Sequence, residues 1–299
     1  MIKKIIDKRN YILYTLIIIL FLFILITNQT KIKATTKTYN YFNEKIVIEL
    51  YTNKNTNKAF KNINNIYKKY HKFYTNPNKN NNKELIELLK YGKKLYKKTN
   101  GYIDITSYKL LANIKENKQY TFKTSINTLD FKNKNTLVNI NIENIIDAYA
   151  TKKVEEYLHK IKINSYIIKQ DNNIVIGKSY NNKKYNIPIV INHNIINILS
   201  LENKSIAIKK NTKALKPYMI NPITSTKTND KKLVAVIASD INEANYIANT
   251  IYLMKNDEIE KYVKKYKVEA LWYNGDKPLK TKGFKKYELK HWFIETKKI

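Results

Sequence analysis

The sequence predicts an α+β fold in which mixed β-sheets are flanked by helices and preceded by one N-terminal transmembrane helix. Short segments with alternating β-branched residues predict strands, as in Lys45–Tyr51, KIVIELY. Longer segments with apolar residues at helical spacing, such as the one from Ala59 to Phe73, predict helices. The uncharged run Tyr11–Thr27 is just long enough to span a bilayer.

The charge balance of the chain is strongly basic, which raises the question of nucleic-acid binding. Lys and Arg number 56 against 24 acidic residues, for a formal charge of +32 over 299 residues. Arg9 is the sole arginine, however, and the lysines are scattered rather than clustered, so the sequence does not favour nucleic acid as a partner. The absence of cysteine excludes disulfides, thiolate metal sites, a cysteine nucleophile and a lipidated N-terminal cysteine.

The N-terminal region predicts attachment to a membrane. Residues 1–10 are basic and are expected in the cytoplasm, residues 11–27 form the anchor, and the body is exported to the extracytoplasmic side. A cleaved secretory signal is the alternative interpretation of residues 11–27. Residues 28–38 are polar and predict a linker, and residues 39–299 form the folded domain.

Hydrophobic periodicity then predicts the elements of the body in order. A helix ends before Pro77, and a second helix, from Leu85 to Leu95, ends at Asn100–Gly101. Ser239 is the expected N-cap of a helix that carries Ile241 to Tyr252. The remaining predicted elements are strands at Ser165–Ile168, Ile174–Ile176, Ile187–Ile191, Ile195–Leu201, Ser205–Ile208, Leu233–Ala238 and Val268–Tyr273, a helix at Glu258–Tyr266, and terminal strands that start at Gly283–Phe284.

The segment Thr136–His159 predicts a strand that runs directly into a helix. β-branched residues occur at every second position up to Ile142, and from Glu143 onward the apolar residues recur at helical spacing. A helix start presents unpaired N–H groups and a positive dipole end, which together can hold an anion. An ordinary strand-to-helix connection is the alternative.

Several segments occur in the order found in ApbE-type FAD:protein FMN transferases and resemble that family across Tyr39–Phe284. The segments are GYIDIT (Gly101–Thr106), NIENIIDAYA (Asn141–Ala150), NPIT (Asn221–Thr224) and the helix INEANYIANTI that begins at Ile241. The resemblance implies an ApbE-like fold, FAD and Mg²⁺ as cofactors, and transfer of FMN to a threonine of a flavin-accepting partner protein with release of AMP. Such transfer depends on a metal and on cationic groups that neutralise developing charge.

The resemblance also assigns candidate site residues, whereas no catalytic residue is assigned. The implied cofactor-binding residues are Asp104, Thr106, Asn144, Asp147, Tyr149, Tyr218, Asn221 and Thr224, and the implied metal-site residues are Ile146, Asn245 and Asn249. Two of these groups also have plain structural interpretations: Asp104 and Thr106 can lock a turn, and Asn245 and Asn249 can form the polar face of a packed helix.

Many of these positions depart from the family pattern. Glu143 and Asn144 stand where the family has glycines, Asp147 replaces lysine, Tyr218 histidine and Asn221 aspartate. Asn245 and Asn249 replace the metal-binding Asp and Thr, and neutral amides hold Mg²⁺ less well than carboxylates do. The sequence therefore predicts a membrane-anchored family member with weak or lost activity, or else a non-catalytic flavin-binding or structural exported protein. A divergent transferase could draw its missing charges from lysines or from Asp240 and Glu243.

Overall fold

A computed structural model describes residues 13–21, 32–76, 83–107, 140–191, 193–210, 219–228, 231–274 and 277–289. Tyr218, His291, residues 136–139 of the expected central strand, and residues 11–12 and 22–27 of the expected anchor lie outside these ranges.

One antiparallel sheet organises the described residues. Its eight strands follow the order β1-β2-β3-β4-β7-β10-β11-β12, and β5–β6 and β8–β9 form separate two-stranded sheets. The strands are β1 Lys33–Tyr41, β2 Glu44–Thr52, β3 Tyr166–Lys169, β4 Asn173–Ile176, β5 Tyr185–Ile191, β6 Asn194–Leu201, β7 Lys204–Lys210, β8 Met219–Asn221, β9 Thr226–Thr228, β10 Leu233–Ala238, β11 Glu269–Asn274 and β12 Lys277–Lys280. Each pairing between described strands is antiparallel, so the expectation of mixed sheets is wrong.

Helices cover one face of this sheet. They are α1 Asn57–Thr75, α2 Lys83–Lys98, α3 Glu143–Lys160, α4 Ile241–Leu253 and α5 Asn256–Tyr266. Gly101 takes a φ of +89° and its N–H bonds to the carbonyl of Tyr96, which ends α2 as the Asn–Gly signal predicts. A β-carbon at Gly92 of α2 would stand 2.7 Å from the side chain of Ile105, so a larger residue at this position would require Ile105 to move.

The sheet separates two apolar cores, and the period of two along each strand explains how one sequence fills both. In β10, Val234 and Val236 face the helices, whereas Leu233, Ala235 and Ile237 face the β5–β6 hairpin and Phe284. The uninterrupted apolar run Leu233–Ala238 is therefore the expected pattern for a strand buried on both faces.

Three further predictions are corrected. The polar segment 28–38 is not a linker throughout, because β1 begins at Lys33 and pairs with β2 over its whole length. Gly283–Phe284 lie in a 3-10 helix, Lys282–Tyr287, rather than in a strand. Residues 140–142 are not a strand, since the segment makes a backbone bond from Asn141 N–H to the Ile105 carbonyl (2.7 Å) in place of a ladder.

The structure describes residues 13–21 as helical, with large apolar side chains that are exposed. Within the described part of the chain, no helix has the length and apolar character needed to cross a bilayer.

Candidate functional site at the start of α3

The predicted site segments meet around the first turns of α3. The segment before α3 bonds to Ile105, and Ile223 lies over Gly101, 3.6 Å from where a β-carbon would stand. Asn221 Nδ2 in turn donates to the carbonyl of Leu253 (3.4 Å) at the end of α4. Because α4 also contacts α3, these segments are connected through a continuous set of contacts.

Two asparagines of α4 bind the first turn of α3. Asn245 and Asn249 lie four residues apart and are 2% and 1% exposed. Their Nδ2 groups donate to the same acceptor, the carbonyl oxygen of Asn144, at 2.7 and 3.1 Å. Asn249 Nδ2 also lies 3.5 Å from Asn245 Oδ1, and Asn249 Oδ1 is buried with no partner among the described residues.

Ile146, the third implied metal-site residue, lies two residues along α3 from Asn144. Its side chain is fully buried in the core, and the carbonyl that receives both amides is that of Asn144. Within the described part of the chain, no cluster of three or more His, Cys, Asp or Glu residues could hold a metal ion. Asn245 and Asn249 present N–H donors to the Asn144 carbonyl, and such groups do not fit Mg²⁺, which needs hard oxygen ligands in octahedral geometry.

Asp147 lies in the second turn of α3, buried against the β3–β4 hairpin. Asn173 Nδ2 donates to Asp147 Oδ2 at 2.7 Å, and Asp147 Oδ1 has no partner among the described residues. Burial, then the negative charge of Asp147, raises the pKa of Glu44 to about 7, while Lys209 and the bond from Asn172 lower it. Asp147, which stands where the resemblance places a lysine, thus brings a buried carboxyl group close to that of Glu44 on β2.

Asp104 and Thr106 form a locked turn, as their structural interpretation expects. Asp104 Oδ1 accepts from the Thr106 N–H (2.8 Å) and from Thr106 Oγ1 (2.6 Å). Burial raises the pKa of Asp104, and the bonds from Thr106 partly oppose that rise. The carboxylate is therefore engaged in holding the turn that contacts the segment before α3.

Asn221 and Thr224 form a second turn, which ends at Ser225 with a φ of +58°. Asn221 Oδ1 accepts from the Ile223 N–H at 2.9 Å, as expected for an asparagine that starts a turn. Thr224 Oγ1 lies exposed, 2.7 Å from Thr226 Oγ1.

Tyr149 lies apart from the amide pair. Its ring contacts Tyr70 of α1 and Tyr91 of α2, with centroids 5.7 and 5.3 Å apart, and Lys153 Nζ lies 5.5 Å from the ring centre. The residue thus fills a gap between three helices.

Asp240 and Glu243, considered as alternative sources of negative charge, are also engaged. Asp240, not Ser239, is the N-cap of α4: its Oδ1 accepts from the N–H groups of Asn242 (2.9 Å) and Glu243 (3.2 Å). Asp240 Oδ2 also pairs with Lys152 at 2.8 Å. Tyr246 Oη donates to Glu243 Oε1 at 3.5 Å.

Sequence reasoning missed Glu44 and Asn173, although a signal for both exists. Glu44 shares the inward face of β2 with Ile46 and Ile48, and Asn173 shares the inward face of β4 with Val175. Extending the period of two by one step places both polar side chains toward the helices.

Comparisons with known proteins identify the family and the fold of the chain. The sequence profile of the ApbE family matches residues 29–272. None of the curated proteins matches the chain.

Solved structures show the same fold. The flavin transferase ApbE of Vibrio cholerae superimposes with a TM-score of 0.71 at 13% identity, covering 86% of this chain and 99% of that one. The ApbE protein of Thermotoga maritima gives 0.72 at 16% identity, covering 86% and 100%. The apo form of the Pseudomonas stutzeri flavinyl transferase ApbE gives 0.70 at 13% identity, covering 86% and 98%. The resemblance drawn from the short motifs is confirmed, and the chain belongs to the ApbE family.

Proposed function

We propose that this chain is a membrane-anchored, exported member of the ApbE family that does not transfer FMN from FAD to protein. The body instead has a non-catalytic role, as a flavin-binding or structural protein on the family fold. The observation that carries this proposal is the buried acidic group at the start of α3, where Asp147 bonds to Asn173 of the adjacent hairpin.

The charge at this position works against the chemistry of the transfer. FAD carries an anionic pyrophosphate, and phosphoryl-type transfer requires positive charge to neutralise what develops on its oxygens. Here the first turn of α3 begins with Glu143, whose N–H already donates to Asn141 Oδ1 at 2.8 Å. Asp147 and the half-buried Glu44 add carboxyl groups just beyond it, so the attraction of the helix start for an anion is opposed.

The proposed anchor is supported by the sequence at the N-terminus. The run Tyr11–Thr27 follows a basic segment, and the large side chains within residues 13–21 are exposed and apolar. A surface of this kind is costly in water and is stabilised by a lipid environment.

A transfer assay tests the proposal. The full-length chain in detergent is incubated with FAD, Mg²⁺ and a threonine-bearing acceptor protein, with the Vibrio cholerae flavin transferase as positive control. We expect AMP release and covalent flavin from the control alone. Both products from this chain, above the level of a sample without protein, would overturn the proposal.

The same samples, desalted after incubation, separate the two non-catalytic roles. Retained yellow colour that is released on denaturation indicates flavin binding without transfer. A colourless protein leaves the structural role.

A further inference from the structure

We propose that Asn245 and Asn249 form an amide clamp on the carbonyl of Asn144, and that this clamp replaces the divalent cation at the junction of α3 and α4. The two side chains occupy the positions that the resemblance assigns to the metal-binding Asp and Thr. Both are almost fully buried, so their hydrogen bonds compete little with solvent.

The orientation of the two amides follows from the chemistry of their common partner. A backbone carbonyl oxygen only accepts hydrogen bonds, so the atoms facing it at 2.7 and 3.1 Å must be the Nδ2 donors. With the amides reversed, three oxygen atoms would face one another, an arrangement that needs a cation between them. The clamp therefore places two polarised N–H groups where a metal ion would place its charge.

The two side chains of the clamp also contact each other and carry no net charge. Asn245 Oδ1 lies 3.5 Å from Asn249 Nδ2, so the two amides contact each other as well as α3. Neutral amides do not repel one another across a buried junction, whereas a carboxylate at either position would be buried without a counter-ion. The two amides thus hold the Asn144 carbonyl without Mg²⁺, while Asn249 Oδ1 stays buried with no partner among the described residues.

Metal-dependent stability tests this inference independently of any transfer activity. Thermal unfolding of the full-length chain is followed in EDTA and in saturating Mg²⁺ or Mn²⁺, and bound metal is measured after dialysis. We expect the same melting temperature in each buffer and no retained metal. A saturable rise in melting temperature with Mn²⁺, or stoichiometric bound metal in the unmodified chain, would overturn the proposal.

The reverse substitution tests whether the clamp stands where the metal would stand. The double variant Asn245→Asp/Asn249→Thr replaces both donors with oxygen ligands around the Asn144 carbonyl. We expect it to melt lower than the unmodified chain in EDTA and to recover with Mn²⁺. Asn194→Asp, the same chemical change on the exposed β5–β6 hairpin, should show no metal effect.

A folded double variant that ignores Mn²⁺ would contradict the assigned position of the clamp. If the double variant does not fold, the melting temperature of the single variant Asn249→Thr is measured instead. This variant replaces the amide with a shorter hydroxyl and adds no charge, and the proposal predicts a lower melting temperature that is equal in EDTA and Mn²⁺. A melting temperature of Asn249→Thr that rises with Mn²⁺ would contradict the proposal. Failure of the transfer proposal would leave these outcomes unchanged, because they report metal binding rather than catalysis.

Discussion

Glu44 carries a carboxyl group whose ionisation is opposed by its surroundings. Its pKa is raised to about 7, by burial first and by Asp147 next, against the opposing effects of Lys209 and Asn172. Asp171 adds a further negative charge nearby. The folded state therefore holds a proton that the unfolded chain releases near its ordinary pKa of about 4.5.

The first prediction follows from that difference. The contribution of Glu44 to the free energy of unfolding is fully present below pH about 4.5 and is lost as the pH rises through about 7, because the folded state binds more protons across this window. Glu44→Gln keeps an acceptor for Asn172 and removes the titration. We expect a gain on the order of 2 kcal/mol in the free energy of unfolding at pH 8 and little change at pH 4.5, measured by urea denaturation.

Glu49, in the same strand, is the matched control. Burial alone would raise its pKa, but bonds from Tyr51 and Lys169 and the charge of Lys169 outweigh burial and lower it. Its contribution is present above the unfolded pKa and is lost as the pH falls, so Glu49→Gln should destabilise the protein at pH 8. A loss of stability from Glu44→Gln at pH 8 would contradict the account of Glu44.

The second prediction concerns the clamp. Asn245→Ala removes the closer donor to the Asn144 carbonyl in a buried site, and should cost about 1–3 kcal/mol in the free energy of unfolding. Asn242→Ala, the same substitution on the same helix, removes an amide whose Oδ1 has no partner among the described residues. It should change stability much less, and equal losses from the two variants would contradict the role of Asn245.

Helical spacing predicted that Asn245 and Asn249 share one face of a helix, and they do. It could not predict their acceptor, because a period along one helix does not specify which carbonyl of the facing helix lies opposite. The sequence resemblance pointed to Ile146, whereas the carbonyl in contact is that of Asn144.

The start of α4 shows how a single residue fixes the boundary of an element. Asp240 accepts from two N–H groups of the first turn and pairs with Lys152, which ties α4 to α3. Burial lowers the pKa of Lys152, but the bonds and charges of Asp240 and Glu155 outweigh burial and raise it. Negative charge at this end also interacts favourably with the helix dipole.

The third prediction tests that cap. Asp240→Ala should cost about 1–2 kcal/mol in the free energy of unfolding, through loss of the cap and of its ion pair. Ser239→Ala, one residue earlier, should cost much less because Asp240 is the residue that caps. Circular dichroism during urea denaturation measures both, and a larger loss from Ser239→Ala would contradict the assignment.

Most helices and strands of the body lie within a few residues of their predicted positions, because their apolar periods are long and regular. The errors fall where period and propensity are weak. Polar β1 is held by pairing with β2 rather than by apolar side chains of its own, and the 3-10 helix around Phe284 is fixed by tertiary contacts.

The molecule as a whole consists of one sheet with a core on each face. Strand order could not be predicted, because β7 lies between β4 and β10 and these pairings join distant parts of the chain. The uninterrupted apolar run of β10 is nevertheless typical of a strand buried on both faces.

The fourth prediction is that the two cores unfold together, since they share the strands between them. Phe284→Ala removes a fully buried ring from the hairpin side and should cost about 3–5 kcal/mol. Ile247→Ala, on the helix side, should cost about 2–5 kcal/mol. Both should shift one common transition seen by tryptophan fluorescence and circular dichroism. Two separate transitions in either variant would contradict a shared unit.

The central claim is that side-chain amides hold the junction at the place where the family resemblance implies a metal ion. Crystals of the protein grown with Mn²⁺ and measured at a wavelength with strong manganese anomalous scattering test it most directly. The account predicts no anomalous peak beside the Asn144 carbonyl and density for two amides within hydrogen-bonding distance of it. A manganese peak between Asn144, Asn245 and Asn249 would contradict it.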